Sequence, residues 1–91
     1  MAERLSYRII IERRVEKEAE KIPQKDRSAI DRAILSLSSN PRPYGSKKLT
    51  EKEGYRLRTG NYRILYTVDD DARIVVIYRI KAKSESTYKF T

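Results

Sequence analysis

The chain has 91 residues, room for one domain with a modest core, and it contains no cysteine, which excludes disulfide staples and thiolate metal sites. It also contains no histidine, so the usual zinc ligands are missing and any acid–base chemistry must fall to lysine, tyrosine, carboxylate or arginine. Lysine and arginine total 21 against 13 acidic residues, a formal net charge of +8, which directs attention to a polyanionic partner, either nucleic acid or an acidic protein segment.

Near the start there is neither a long apolar run nor a small-residue cleavage pattern, so neither a signal peptide nor a membrane span is expected. A cytoplasmic location follows as the expectation, with no membrane partner. Leu5, Tyr7, Ile9 and Ile11 recur at period two and predict a first strand over 5–11. A charged segment from Glu12 to Lys21 follows, in which Val15, Ala19 and Ile22 are spaced for one helical face. Arg14 and Glu18 stand four apart on its other face and are expected to pair. Pro23 suits the start of a second helix, whose buried stripe would be Ile30, Ala33, Ile34 and Leu37, with Ser38-Ser39-Asn40-Pro41 ending it.

Residues 42–52, "RPYGSKKLTEK", carry proline, glycine and serine punctuation and read as a loop. Gly60-Asn61 is a two-residue turn signal inside "YRLRTGNYRILY" and predicts a β-hairpin. Asp69-Asp70-Asp71 falls in the next turn, where aspartate side chains hydrogen-bond their own backbone. Clustered carboxylates can also hold a hard cation, but no partner carboxylate lies at a nearby strand end, so neither a metal nor a cofactor is expected. "RIVVIYRI", 73–80, is apolar nearly throughout and reads as a strand covered on both sides. The polar tail, 81–91, reads as a short helix or an extended arm. The expected fold is α+β: two antiparallel helices on one face of a small, mainly antiparallel sheet, in the order β-α-α-β-β-β.

The hairpin register carries the functional signal. With Gly60-Asn61 as the loop, Thr59 faces Tyr62, Arg58 faces Arg63, Leu57 faces Ile64 and Arg56 faces Leu65. Tyr62, Ile64, Tyr66 and Val68 then share the core side, leaving Arg56, Arg58 and Arg63 together on the other. Like charges directly opposite each other destabilise a sheet. A merely solvated face could alternate its signs, and this one does not, so it is a candidate grip for a polyanion. Arg79, Lys81 and Lys83 recur at period two on the following strand. A three- or five-residue loop after Val68 would put Arg79 on the Arg63 face, and a four-residue loop would not. Lys47 and Lys48 in the preceding loop could rim the same surface, with Lys52 close by in sequence.

The hairpin 55–66, the preceding "KKLTEKEGYRLR", the strand "RIVVIYRI", the Asn-Pro after the second helix and a tyrosine near the end together resemble the RelE/ParE superfamily of bacterial toxins, and its RelE-like branch in particular. The resemblance spans essentially the whole chain and implies a single RelE-like toxin domain over 1–91. It implies that Arg56 and Arg58 are the basic positions of the first hairpin strand and Arg63 the arginine after the hairpin tyrosine. Tyr88 would be the tyrosine that stacks on a base or assists proton transfer. Many relatives carry an arginine-rich segment, often with histidine, before that tyrosine. Here "KAKSESTY" stands in its place, with Lys81 and Lys83 as substitutes.

The activity so implied is ribosome-dependent cleavage of translated mRNA by a metal-independent endoribonuclease. Arg56, Arg58, Arg63, Lys81, Lys83 and Tyr88 would be catalytic, while Lys47, Lys48, Lys52 and Arg79 would bind RNA. Partners would be the ribosome and mRNA, a cognate acidic antitoxin, and operator DNA only through the antitoxin complex. ParE-like members of the superfamily instead poison DNA gyrase without cutting RNA, and that reading stands as the alternative.

Overall fold

A computed structural model describes residues 6–82. Its elements run β1 (Arg8–Ile11), α1 (Arg13–Glu20), α2 (Gln24–Ser36), β2 (Ser46–Lys48), β3 (Tyr55–Thr59), β4 (Tyr62–Asp69) and β5 (Ile74–Ala82). One five-stranded sheet carries them in the order β1-β5-β4-β3-β2, antiparallel throughout except for the parallel β1–β5 pair at its margin. The expected α+β architecture is present, with one strand more than expected. Ser46–Lys48, in the segment read as loop, pairs with Tyr55–Leu57 and forms the other margin. No apolar alternation announces that strand, because three residues at an edge bury too little to need one.

The helices cover one face. Val15 and Ile22 from the first helix and its exit join Ile30, Ile34 and Leu37 from the second, over Leu57, Ile64, Tyr66, Val75, Ile77 and Ile80. Proline ends α1 and opens α2: Ile22 precedes Pro23, a position sterically biased away from helical backbone, and Pro23 is the N-cap residue of α2. The stripe Ile30, Ile34 and Leu37 is buried as its spacing requires, while Leu35 on the opposite side is exposed.

Three local expectations are corrected. Ile11, placed inward by its period, is exposed along with Ile10, because the β1 strand ends there and the chain turns into α1. β5 is fully buried on its helix-facing side only, with Val76 and Tyr78 on the other positions partly buried. Glu18 does not pair with Arg14; it reaches across to β5 instead. Leu5 lies outside the described residues.

Two backbone features fix the sheet around the hairpin. Gly60 has φ +60 at the first of the two loop positions, the place a type II′ hairpin turn reserves for glycine. Gly54, just before β3, has φ +118, and a Cβ there would lie 2.6 Å from the Tyr66 carbonyl oxygen. Only a residue without a side chain lets the two strands approach so closely at that point.

A polar network closes the end of the sheet away from the hairpin turn. Arg42 donates two hydrogen bonds to Asp70, at 3.2 and 2.8 Å, and one from Nε to the Tyr55 hydroxyl at 2.9 Å. The Tyr7 hydroxyl donates to Asp70 at 2.7 Å. Tyr55 stacks on Tyr66 with ring centroids 5.8 Å apart, and the buried Tyr66 hydroxyl donates to the Pro41 carbonyl at 2.8 Å. Asp69 accepts from the Ala72 amide at 3.0 Å, the turn chemistry expected of it. The Arg42 and Tyr7 contacts hold the Asp70 carboxyl below its ordinary range, and Tyr7 is raised in turn, chiefly by its bond to Asp70.

Candidate functional site

The face that the helices leave open is crossed by two rows of side chains. In the first, Arg58 on β3 faces Arg63 on β4, which on its other side faces Lys81 on β5. In the second, Lys47 on β2 faces Arg56, which faces Leu65, which faces Arg79. Direct cross-strand partners point to the same side of a sheet, so six cations share one surface around Leu65. The hairpin register expected from Gly60-Asn61 is the observed one, pair for pair.

The placement of Arg79 and Lys81 has a different origin. Four residues, 70–73, separate β4 from β5, and on loop length alone Arg79 would fall on the helix side. Instead Tyr66 pairs with Ile77 while Leu65 pairs with Arg79, leaving Tyr78 as an extra residue in β5. This β-bulge shifts the register by one and returns Arg79 and Lys81 to the open face. Nothing in "VVIYRI" signals it.

Lys48 pairs opposite Tyr55 and so belongs to the other face. Lys52 sits exposed in the bend between β2 and β3, outside the rows. Lys83 and Tyr88 lie outside the described residues.

The rows differ in how their charge is balanced. Arg79 donates from Nε to Glu18 of α1 at 2.8 Å. Among the described residues no carboxylate forms an ion pair with Arg56, Arg58, Arg63 or Lys81. Arg63 goes further: its Nε is buried and has no hydrogen-bond acceptor among the described residues. A buried guanidinium donor without an acceptor is costly, and such groups occur where a structure is arranged for something other than stability. The Tyr78 hydroxyl, at the bulge, is likewise buried without a partner among the described residues, and burial raises it above the ordinary phenol range.

Chemically, the arrangement can hold an anion between guanidinium groups from neighbouring strands. Guanidinium binds phosphate through two parallel hydrogen bonds and stays charged while doing so. Sequence reasoning missed Glu18 and Tyr78. Glu18 carries no local signal for a contact with a residue 61 positions away.

The family model for the ParE toxin of type II toxin–antitoxin systems matches residues 9–86. The chain belongs to this family. It is thus a toxin of the RelE/ParE superfamily, and its relatives include proteins named for the other branch. A Methanocaldococcus jannaschii protein bearing the toxin name RelE1 is 32% identical over 89 residues, covering 93% of this chain and 98% of that one. Among solved structures, the RelBE2 toxin–antitoxin complex of Mycobacterium tuberculosis matches this ParE-family toxin with a TM-score of 0.78 at 26% identity, over 89% of this chain and 95% of that one. The RelE–RelB complex of Pyrococcus horikoshii gives 0.76 at 23% identity, over 88% and 98%. The isolated Escherichia coli RelE toxin gives 0.73 at 19% identity, over 94% and 100%, a likeness of fold.

Proposed function

We propose that this toxin is a ribosome-dependent endoribonuclease that cuts translated mRNA. The observation that carries the reading is the Arg58–Arg63–Lys81 row, which no carboxylate among the described residues neutralises. RNA brings its own nucleophile. A 2′-hydroxyl loses its proton to a base and attacks the adjacent phosphorus. The bond to the 5′-oxygen breaks, and that oxygen takes up a proton. The products are a 2′,3′-cyclic phosphate and a 5′-hydroxyl.

Between them the phosphorus carries extra negative charge, and stabilising that charge is the largest part of the task. Arg56, Arg58 and Arg63 take this role, with Lys47 tracking the flanking backbone. Lys81 lies across from Arg63 and is one candidate for the proton transfers. Lys83 and Tyr88 are the others, on the family resemblance. No metal or cofactor enters this scheme. A modest base suffices where the ribosome holds the RNA in line, because orientation alone lowers a barrier by several kcal/mol. The whole chain, 1–91, acts as one toxin domain.

A cognate acidic antitoxin is the natural counterpart. Relatives of this fold are solved as RelE–RelB pairs, and a net charge of +8 favours a negatively charged segment that orders on binding.

Primer extension on transcripts after brief expression tests the reading. Cuts within codons, between second and third bases and only on translated messages, are expected. Intact messages together with gyrase-linked DNA breaks would establish the second reading, gyrase poisoning, which the ParE description of the matching family model favours.

A further inference from the structure

β1 pairs with β5 only as far as Ile77, and the Glu12 amide continues the pairing to the Ile77 carbonyl at 3.1 Å. Beyond that point the outer edge of β5 has no neighbouring strand among the described residues. Residues 78–82 are the stretch that carries the bulge and then Arg79 and Lys81. A backbone amide on such an edge lacks a partner unless something else supplies one. Glu18 supplies it. Its Oε1 accepts the Ile80 amide at 2.9 Å, and its Oε2 accepts Arg79 Nε at 2.8 Å. One carboxylate therefore takes a backbone donor and a side-chain donor from adjacent residues, immediately past the bulge.

We infer that Glu18 is a positioning residue for the cationic face: it holds the β5 edge so that Lys81 stays opposite Arg63, and it withholds the Arg79 charge from the RNA. The carboxylate is only partly exposed, with 24% of its side-chain surface open to solvent, so the pair is partly shielded from solvent competition. The hydrogen bonds of Glu18 go to Arg79 and the Ile80 amide, so it acts on the rows through Arg79 and the strand. The Glu18 site thus separates two properties usually linked, grip and geometry. Removing the carboxylate frees a cation for phosphate while loosening the segment that carries Lys81.

The inference rests on the reading of this face as an RNA site. Its test uses the full chain and two readouts. The first is the salt dependence of binding to a short fluorescent single-stranded RNA carrying 2′-O-methyl groups, which cannot be cut. The second is cleavage of ribosome-bound mRNA. Glu18→Gln keeps an oxygen for the Ile80 amide and gives up the charge. We expect tighter RNA binding at low salt and a slope of log affinity against log salt steeper by about 0.7, one added phosphate contact.

Glu18→Ala loses the amide anchor as well. It is expected to steepen the slope equally and to slow cleavage about tenfold or more, the scale on which small misplacements act. In an Arg79→Ala background, Glu18→Gln should leave the slope unchanged.

Unchanged slopes in both single variants, with only a lowered thermal midpoint, would mean that Glu18 is structural and would overturn the inference. A slope change that persists without Arg79 would also overturn it, as would wild-type cleavage rates in Glu18→Ala. Should Glu18→Ala fail to fold, Glu18→Gln and the Arg79→Ala background decide the matter by binding. Wild-type protein that leaves translated mRNA intact would defeat the proposed function instead, and the binding arm would then judge Glu18 alone.

Discussion

Arg58 and Arg63 stand directly opposite each other across the β3–β4 hairpin, on the face the helices leave open, and among the described residues no carboxylate pairs with either. Two like charges in that position cost the fold stability. The cost has a use if a phosphate is to sit between them. Arg58→Glu turns the repulsive pair into an attractive one. Urea unfolding should show stability raised by about 0.5–1 kcal/mol, from the cross-strand pair scale. The cleavage rate should fall by about 100-fold or more, as when one charge-stabilising donor is lost. A variant that gains stability and keeps full toxicity would contradict the role given to this pair.

Gly54 is the second point of leverage. Alanine there must adopt φ +118 and push its Cβ to within 2.6 Å of the Tyr66 carbonyl oxygen. Strained backbone and overpacking together should cost about 3 kcal/mol. The urea midpoint should drop with little change in slope. Gly45→Ala is the control, since φ is +98 there and nothing lies within 4 Å of the added carbon. Its loss should be near 1 kcal/mol, the backbone share alone.

Tyr66 tests the core polar contact. Its side chain is fully buried and its hydroxyl donates to the Pro41 carbonyl. Tyr66→Phe keeps the stack on Tyr55 and strips that carbonyl of its donor. A loss of about 1–2 kcal/mol is expected, the penalty for a buried polar group left unmatched. Thermal unfolding of the two proteins side by side measures it.

Asp70 sets an acid limit. Its carboxyl titrates lower in the folded chain than in the unfolded one, held down by Arg42 and then Tyr7. A group of that kind stabilises the fold above its unfolded value, near 3.9 for aspartate, and the contribution fades as pH falls through the folded value. Asp70→Asn should be the less stable protein at neutral pH, and its deficit should shrink in acid. Tyr7 and Tyr66 impose the opposite limit, being raised by the Asp70 bond and by burial respectively. Their contribution is complete below the ordinary phenol range and fades as pH rises through the raised values. Denaturation midpoints across the pH range check both signs.

Much of this molecule could be read from its residues in order. The stripe of Ile30, Ile34 and Leu37 specifies a buried helix face, and Gly60-Asn61 specifies the hairpin and with it the Arg58–Arg63 contact. What escaped notice is what depends on distant partners. Ser46–Lys48 is a strand only because Tyr55–Leu57 is there to pair with it. Ile11 is exposed because the neighbouring chain turns into a helix, and Glu18 spends its charge on β5 rather than on Arg14 four residues away. Local periodicity carries no term for any of these.

The extra residue at Tyr78 divides β5 into two segments whose alignments are set separately. Before it, β5 lies between β1 and β4; after it, β5 keeps β4 on one side and meets Glu18 of α1 on the other. Counting residues around the aspartate-rich turn in other chains of this fold would assign cations to the wrong side wherever the extra residue is present, and only a structure-based alignment would identify which lysines and arginines correspond.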